Sequence, residues 1–160
     1  MVNTSREPSV EELARYEAIM RQRLNESPFY QLLGMEILEL RSGYSRFRLN
    51  VTRHLQNVSG IVHGGAIASI ADASMGVALA TLLDPLVQRP ITVEMKINYM
   101  APSRDGELIA EGRVVQKGST LTVTGAEVRN GNGELVAVAM GTFLVKQAKA
   151  AAAPDQQTGD

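Results

Sequence analysis

The run from Ala66 to Leu83 is the feature that most constrains this chain. It is almost wholly apolar, and its length alone would raise a membrane span. Asp72 lies inside it, together with Ser69, Ser74, Gly76 and Thr81. A carboxylate at the centre of a bilayer costs at least about 2.5 kcal/mol, and no Lys or Arg anchors flank the run. The segment therefore reads as one buried helix, about 64–83, spanning about 28 Å. A helix that is apolar on nearly all sides needs cover on all sides. A curved antiparallel sheet wraps most of it, and a second copy of the chain or a lead-in helix must cover the rest. The fold class is α+β, with dimerisation following from burial.

The rest of the chain supplies the sheet. Met35, Ile37, Leu38 and Leu40 mark a short strand, and Ser42-Gly43 a turn. Phe47, Leu49 and Val51 then alternate with Arg46, Arg48 and Asn50 at period two. A loop covers Thr52 to Ser59. After the helix, Pro85 and Pro90 bound a loop. Beyond it Ile91, Val93, Met95, Ile97 and Tyr99 alternate with Thr92, Glu94, Lys96 and Asn98. Strands at Leu108–Gln116 and Leu121–Asn130 flank a Lys117-Gly118-Ser119 turn, a hairpin signal. Asn130 to Gly133 forms another turn, and Leu135–Val145, apolar on both faces, reads as a central or interface strand.

Ahead of the sheet, Ser9 and Glu12 form a capping box, and Leu13, Tyr16, Met20 and Leu24 recur at helical spacing. The spacing predicts a helix over roughly 10–25. Pro28 begins a short turn that Gly34 ends. The 160 residues fit one domain, divided as a helical extension (1–27), a main domain (28–146) and a disordered tail (147–160). The tail is rich in Ala, Gln and Asp and has no large apolar residue.

Composition excludes several classes. There is no cysteine, so no disulfide and no thiolate metal site. The net charge of −1 gives no global pull toward nucleic acid or an anionic membrane. Four Tyr, three Phe and no Trp leave few platforms for stacking on single-stranded nucleic acid. The N-terminus has no apolar run of signal-peptide length, which makes the cytoplasm the default location.

Residues with chemical potential gather where the chain enters the long helix. Asn57 is followed by His63-Gly64-Gly65 and then by Asp72. Glycine lets the backbone approach a ligand closely, and the first N–H groups of a helix lack intrahelical partners and carry its positive end. Such a terminus polarises a carbonyl whose oxygen becomes negative. Gly65, Ser69, Asp72 and Gly76 share one helix face of small residues around a single carboxylate. His63 reads as a cap or as a catalytic group, Asn57 as a turn residue and Thr92 as a good strand residue. An Asp in an apolar helix needs either a fixed partner or a function, because burying an unpaired charge is costly. His54, His63 and Asp72 match no metal-ligand spacing. No phosphate-binding loop, nucleophile elbow or dinucleotide fingerprint is present.

The set Asn57, His63-Gly64-Gly65 and Asp72 resembles the signature of hotdog-fold acyl-CoA thioesterases of the phenylacetic-acid-degradation (PaaI-like) type. The resemblance continues through Thr92 to Pro102 and Gln116 to Leu121, covering about residues 28–146. It implies a hotdog fold, in which a curved antiparallel sheet wraps one long central helix, and hydrolysis of an acyl-CoA to free acid and CoA. By this resemblance the Gly64 N–H polarises the thioester carbonyl, and Asp72 of a neighbouring subunit is general base or nucleophile. Asn57 and His63 position the carbonyl and water or orient the loop, and Thr92 helps hold the water or carboxylate. Gly65, Tyr99 and the turn Gln116, Lys117, Gly118, Ser119 and Thr120 lie toward the substrate. It implies no cofactor and no metal, CoA being part of the substrate. It also implies a homo-oligomer, dimer or more often tetramer, with sites at the dimer interface. Lys96, Lys117 and nearby Arg residues offer a local patch for CoA phosphates.

Three other readings are alternatives: a hotdog hydratase, a non-catalytic acyl-CoA sensor, and a scaffold or partner-binding domain, which would have no need of Asp72. A hydratase has His five residues after its Asp, but position 77 is Val. A non-catalytic acyl-CoA sensor fused to a DNA-binding domain needs more than residues 1–33 provide. The acyl group is not encoded legibly. Ala66, Ile70, Ala73 and Val77 suggest a modest apolar pocket for short-to-medium or aromatic acyl groups.

Overall fold

A computed structural model describes residues 7–85 and 87–147. Six strands form one antiparallel sheet in the order β1-β2-β4-β5-β6-β3. They are β1 (Met35–Arg41), β2 (Tyr44–Asn50), β3 (Gln88–Tyr99), β4 (Glu107–Lys117), β5 (Leu121–Asn130) and β6 (Leu135–Gln147). Among the described residues three α-helices accompany them, α1 (Val10–Asn25), α2 (Pro28–Leu33) and α3 (Gly64–Ala80), with a 3-10 turn at Arg53–Leu55. The hotdog architecture is therefore present, with α3 lying in the concave face of the sheet.

Alternation explains the packing. On β2, on β4 as far as Gly112 and on β5 every second residue is buried, including Phe47, Leu49, Leu108, Ala110, Thr124, Ala126 and Val128. They meet Ile70, Ala71, Met75, Ala78 and Leu79 of α3, all fully buried. Each buried Ile, Met or Leu contributes roughly 1.5–3 kcal/mol. Ala66, Ile70, Ala73 and Val77 are also buried against the sheet. They are core residues, which corrects their reading as the wall of an acyl pocket.

The helix sits close to the sheet at one place. Ser45 Oγ donates to the Ser74 carbonyl at 2.7 Å, and a Cβ on Gly112 of β4 would fall well inside contact with that carbonyl group. Gly112→Ala is expected to lower stability by at least about 1–3 kcal/mol, the usual cost of overpacking. That corresponds to a melting temperature lower by roughly 3–9 °C. Unchanged thermal denaturation would show that the helix shifts at no cost.

Other boundaries differ from expectation for local reasons. Residues 28–33 form a helix rather than a turn, because Pro28 suits its first position and Gly34 closes it in the left-handed region (φ 70°). The central helix ends at Ala80, three residues early, where Thr81 Oγ1 bonds the Ala78 carbonyl (2.7 Å) and accepts the Gly43 N–H (2.8 Å). Pro90 does not bound the loop but pairs with Val145 inside β3, where an edge strand tolerates a missing donor. Gln116 and Lys117 belong to β4 rather than to the turn that follows. β6 lies between β5 and β3, next to the sheet edge, and runs to Gln147. The remainder of the expected tail, 148–160, lies outside the described residues.

The capping box of α1 is present in full: Glu12 N–H donates to Ser9 Oγ (3.2 Å) and Ser9 N–H to Glu12 Oε2 (2.7 Å). Tyr16 and Ile19 are buried, and Arg15 Nη1 donates to the Thr81 carbonyl at 3.1 Å. The lead-in helix thus covers one end of the core. No helix among the described residues is long and apolar enough to cross a membrane.

Candidate active site

The loop before α3 is tied down by its own polar groups. Asn57 Oδ1 accepts from the N–H groups of Ser59 (2.9 Å) and Ile61 (3.4 Å). Gly60 closes this turn at φ 71°, a conformation that favours glycine. His63 N–H donates to Leu55 O (2.7 Å) and Val62 N–H to Ser103 O (2.8 Å). His63 is the N-cap residue, and its Nδ1 accepts the Gly65 N–H at 2.9 Å, so the neutral ring carries its proton on Nε2. The His63 carbonyl takes the Ala66 N–H (2.9 Å). The Gly64 N–H is left without an acceptor among the described residues. It stands at the positive end of the helix and borders a cavity of about 310 Å³ lined by Asn57, Ile61, Gly64, Ile67, Tyr99 and Pro102. Tyr99 Oη donates to the Gly64 carbonyl at 3.1 Å, with its ring against the Gly64 Cα.

Asp72 lies two turns further along α3. Thr92 Oγ1 donates to Asp72 Oδ1 at 2.8 Å, so the carboxylate has one oxygen engaged. Strict alternation along β3 would point Thr92 away from the helix. A bulge at Val93 changes the phase: Thr92 pairs with Phe143 and Glu94 with Thr142, which leaves Val93 as the extra residue. Thr92 then faces α3 with Met95 and Ile97. Burial holds the Asp72 carboxyl above its usual range, and the Thr92 bond pulls it only partly back. Tyr30 of α2 stands nearby. Its phenol is pushed up to about 12, first by burial, with Arg23 opposing and the Asp72 charge adding to the rise. Its ring packs edge-on against Phe47, with centroids 5.8 Å apart.

Comparison with known proteins places this architecture. Residues 59–137, from the loop before α3 into β6, match the family model described as the thioesterase superfamily. A Saccharolobus solfataricus protein named an esterase is 33% identical over 126 residues, covering 79% of this chain and 83% of that one. The chain belongs to the thioesterase superfamily. The medium/long-chain acyl-CoA thioesterase YigI of Salmonella typhimurium is 26% identical over 132 residues, covering 74% of this chain and 85% of its own. Among solved structures, the Escherichia coli PaaI protein superposes with a TM-score of 0.74 at 20% identity, covering 88% of this chain and 95% of that one. That last likeness speaks to the fold.

In this thioesterase-superfamily chain the expected site residues occupy three places on one protomer. Asn57, His63, Gly64, Gly65 and Tyr99 gather at the start of α3. Asp72 and Thr92 form a second group. Eight residues separate Gly64 from Asp72, or about 12 Å of helix. The turn at Gly118–Thr120 lies at the opposite end: Lys117 Nζ donates to the Leu82 carbonyl at 3.2 Å, and α3 alone spans about 24 Å between Gly64 and Ala80. Gly118 N–H closes that hairpin onto Leu121 O (3.0 Å). His54, His63 and Asp72 do not converge, and no group of three His, Asp or Glu among the described residues is arranged for a metal ion. Tyr30 escaped the sequence reading because its segment read as a turn. Pro28 and Gly34, six residues apart, were the available sign of a short helix.

Proposed function

We propose that the protein hydrolyses acyl-CoA thioesters in a site built by two protomers. One supplies the Gly64 N–H and Asn57, and the other supplies Asp72 with Thr92. Water attacks the thioester carbonyl carbon while Asp72 removes its proton. The oxygen becomes negative and accepts the Gly64 N–H, a stabilisation that needs no reorganisation. Collapse of the tetrahedral intermediate breaks the C–S bond and releases the acid and CoA, whose thiolate regains a proton. A carboxyl held above its usual range suits a general base, because it shares protons more evenly with water near neutrality.

The observation that carries this reading is the separation of Gly64 from Asp72. No single carbonyl and attacking water reach both on one helix. A second copy supplies the missing partner. β3 is an edge strand of 12 residues with Ile91 and Val93 exposed. Adding the same strand of a second copy antiparallel extends the sheet and lays α3 beside its twofold mate, running the other way. Gly64, Gly65, Ala68, Ser69, Asp72 and Gly76 are the α3 positions that are not buried within the protomer. The acyl-CoA assignment draws on the name of the YigI relative. A hydratase reading gains nothing here, because Val77 is buried against the sheet.

Mixing two inactive variants tests the shared site. Gly64→Val and Asp72→Asn each remove one half. Random reassociation makes half the dimers hybrid, each with one intact and one doubly defective site. Turnover is expected to recover to roughly a quarter of wild type, with light scattering giving a dimer or a multiple of it. The substrate for this assay comes from a hydrolysis screen over acyl-CoAs of varied length and aromaticity. No recovery on mixing, or a monomer mass, would sink the two-protomer site.

A further inference from the structure

We infer that Arg53 and Arg104 form the clamp for the phosphates of the substrate's nucleotide end, an assignment that rests on the acyl-CoA hydrolysis proposed above. The arginines of this chain fall into distinct groups. Arg41, Arg46, Arg48, Arg113 and Arg129 each pair with a glutamate on the outer side of the sheet. Their charge is already met. Arg53 and Arg104 make no ion pair among the described residues. Arg53 Nη1 donates to Gln56 Oε1 (3.2 Å) and Arg104 Nη1 to the Ser59 carbonyl (3.3 Å). Each bond uses one of five guanidinium donors and leaves the charge unneutralised.

Their position gives the charge a purpose. Arg53 stands in the loop that leads to Gly64, and Arg104 follows the segment of Tyr99 to Pro102. These two segments are stitched together. Val62 N–H donates to Ser103 O (2.8 Å) and Gln56 Nε2 to Arg104 O (2.7 Å), while a bridge between Gln56 and Val62 closes the first segment on itself. The same two segments line the cavity beside the free Gly64 N–H. A thioester whose carbonyl meets Gly64 would send its leaving group out through this cavity, past Tyr99 and Pro102, toward the adjoining ends of the two segments, where Arg53 and Arg104 are exposed. Asp105 is adjacent in sequence and forms no ion pair with Arg104, so two cations, each tethered by one hydrogen bond, stand in these segments against one carboxylate. The planar fork of a guanidinium matches phosphate oxygens two at a time. Lys117, at the end of β4, is held at the other end of α3, away from this cavity.

A truncated substrate separates this clamp from the chemistry. Wild type and the double variant R53A/R104A are assayed on one acyl group carried either by CoA or by pantetheine, which lacks the nucleotide and its phosphates. For acyl-CoA the variant is expected to raise KM at least about tenfold, with kcat within about twofold. On the pantetheine thioester KM stays as in wild type. Added salt weakens wild-type use of acyl-CoA more than that of the variant. An unchanged KM for acyl-CoA overturns the clamp, and so does an equal rise on both substrates, which would make the arginines mere loop supports. Should wild type hydrolyse neither thioester, the hydrolase reading fails on its own account. Calorimetric titration with CoA then decides the clamp: weaker binding by R53A/R104A supports it, and equal binding or none to either protein removes it.

Discussion

Asp72→Asn is expected to lower kcat by at least about a hundredfold, the usual loss of a general base, while the melting temperature at neutral pH stays the same or rises. An Asn oxygen still accepts the Thr92 hydroxyl, so the local bond survives. What disappears is the charge. Burial raises the Asp72 carboxyl above its unfolded value, so folding favours the protonated form. That contribution to stability is fully present at acid pH and fades as pH rises through the folded-state value. At neutral pH the wild type therefore holds a carboxylate that its surroundings disfavour, and the variant does not. Wild-type kcat should fall as pH drops through this raised value, on an acid limb above the ordinary carboxylate range. The limb should be absent from the residual activity of the variant. Steady-state kinetics against pH, paired with thermal denaturation, measures both effects. Turnover near wild type in Asp72→Asn would remove the base from the mechanism.

The Gly64→Val variant should lose at least about a hundredfold in turnover, because one misdirected oxyanion donor typically costs about 2.7–4 kcal/mol of barrier. The structure supplies the steric cause. A Cβ at this position lies 3.2 Å from the Tyr99 ring, so a branched side chain must push the phenol aside or tilt the first turn. Either motion disturbs the Tyr99 bond to the Gly64 carbonyl and narrows the cavity mouth. Folding should tolerate the change. The glycines in the left-handed region are 34, 43, 60, 106 and 133, so Gly64 is under no such backbone constraint. Valine is also the better helix former of the two. Thermal denaturation close to wild type with turnover lost is the expected pair of results. Turnover retained by a folded Gly64→Val protein would mean that this N–H faces no developing charge.

The sequence made the architecture readable because its periodicities are strong. An apolar helix with a lone carboxylate leaves few folds open, and the buried positions of β2 and β5 follow strict alternation. The capping box at Ser9 and Glu12 was readable because it is a purely local arrangement. Thr92 was harder: a bulge is a register property of two strands, and nothing in residues 88–99 alone marks Val93 as the extra one. His63 could be read as cap or as catalyst, and only the bond from the Gly65 N–H shows the capping role. The division of the site residues within one protomer was implied only by the family resemblance, which assigns Asp72 to a neighbouring subunit, and not by spacing, for a plain reason. Residues adjacent in a motif need not be adjacent in one protomer, and a helix converts eight positions into about 12 Å.

The bulge at Val93 also bears on which strands this protein accepts. A regular strand presents its outward N–H and C=O groups at even intervals and will pair with almost any other regular strand. That indifference is the root of edge-to-edge aggregation. Past residue 93 the free side of β3 falls out of step with such a visitor, and an arbitrary hydrogen-bond ladder grows from one end only to stall at the irregularity. In the proposed dimer a copy of β3 running the opposite way carries the same break, and a twofold axis near residue 93 would set the two breaks opposite each other. In the proposed dimer, one inserted residue would thus act as a password at the open edge, admitting kin and turning strangers away.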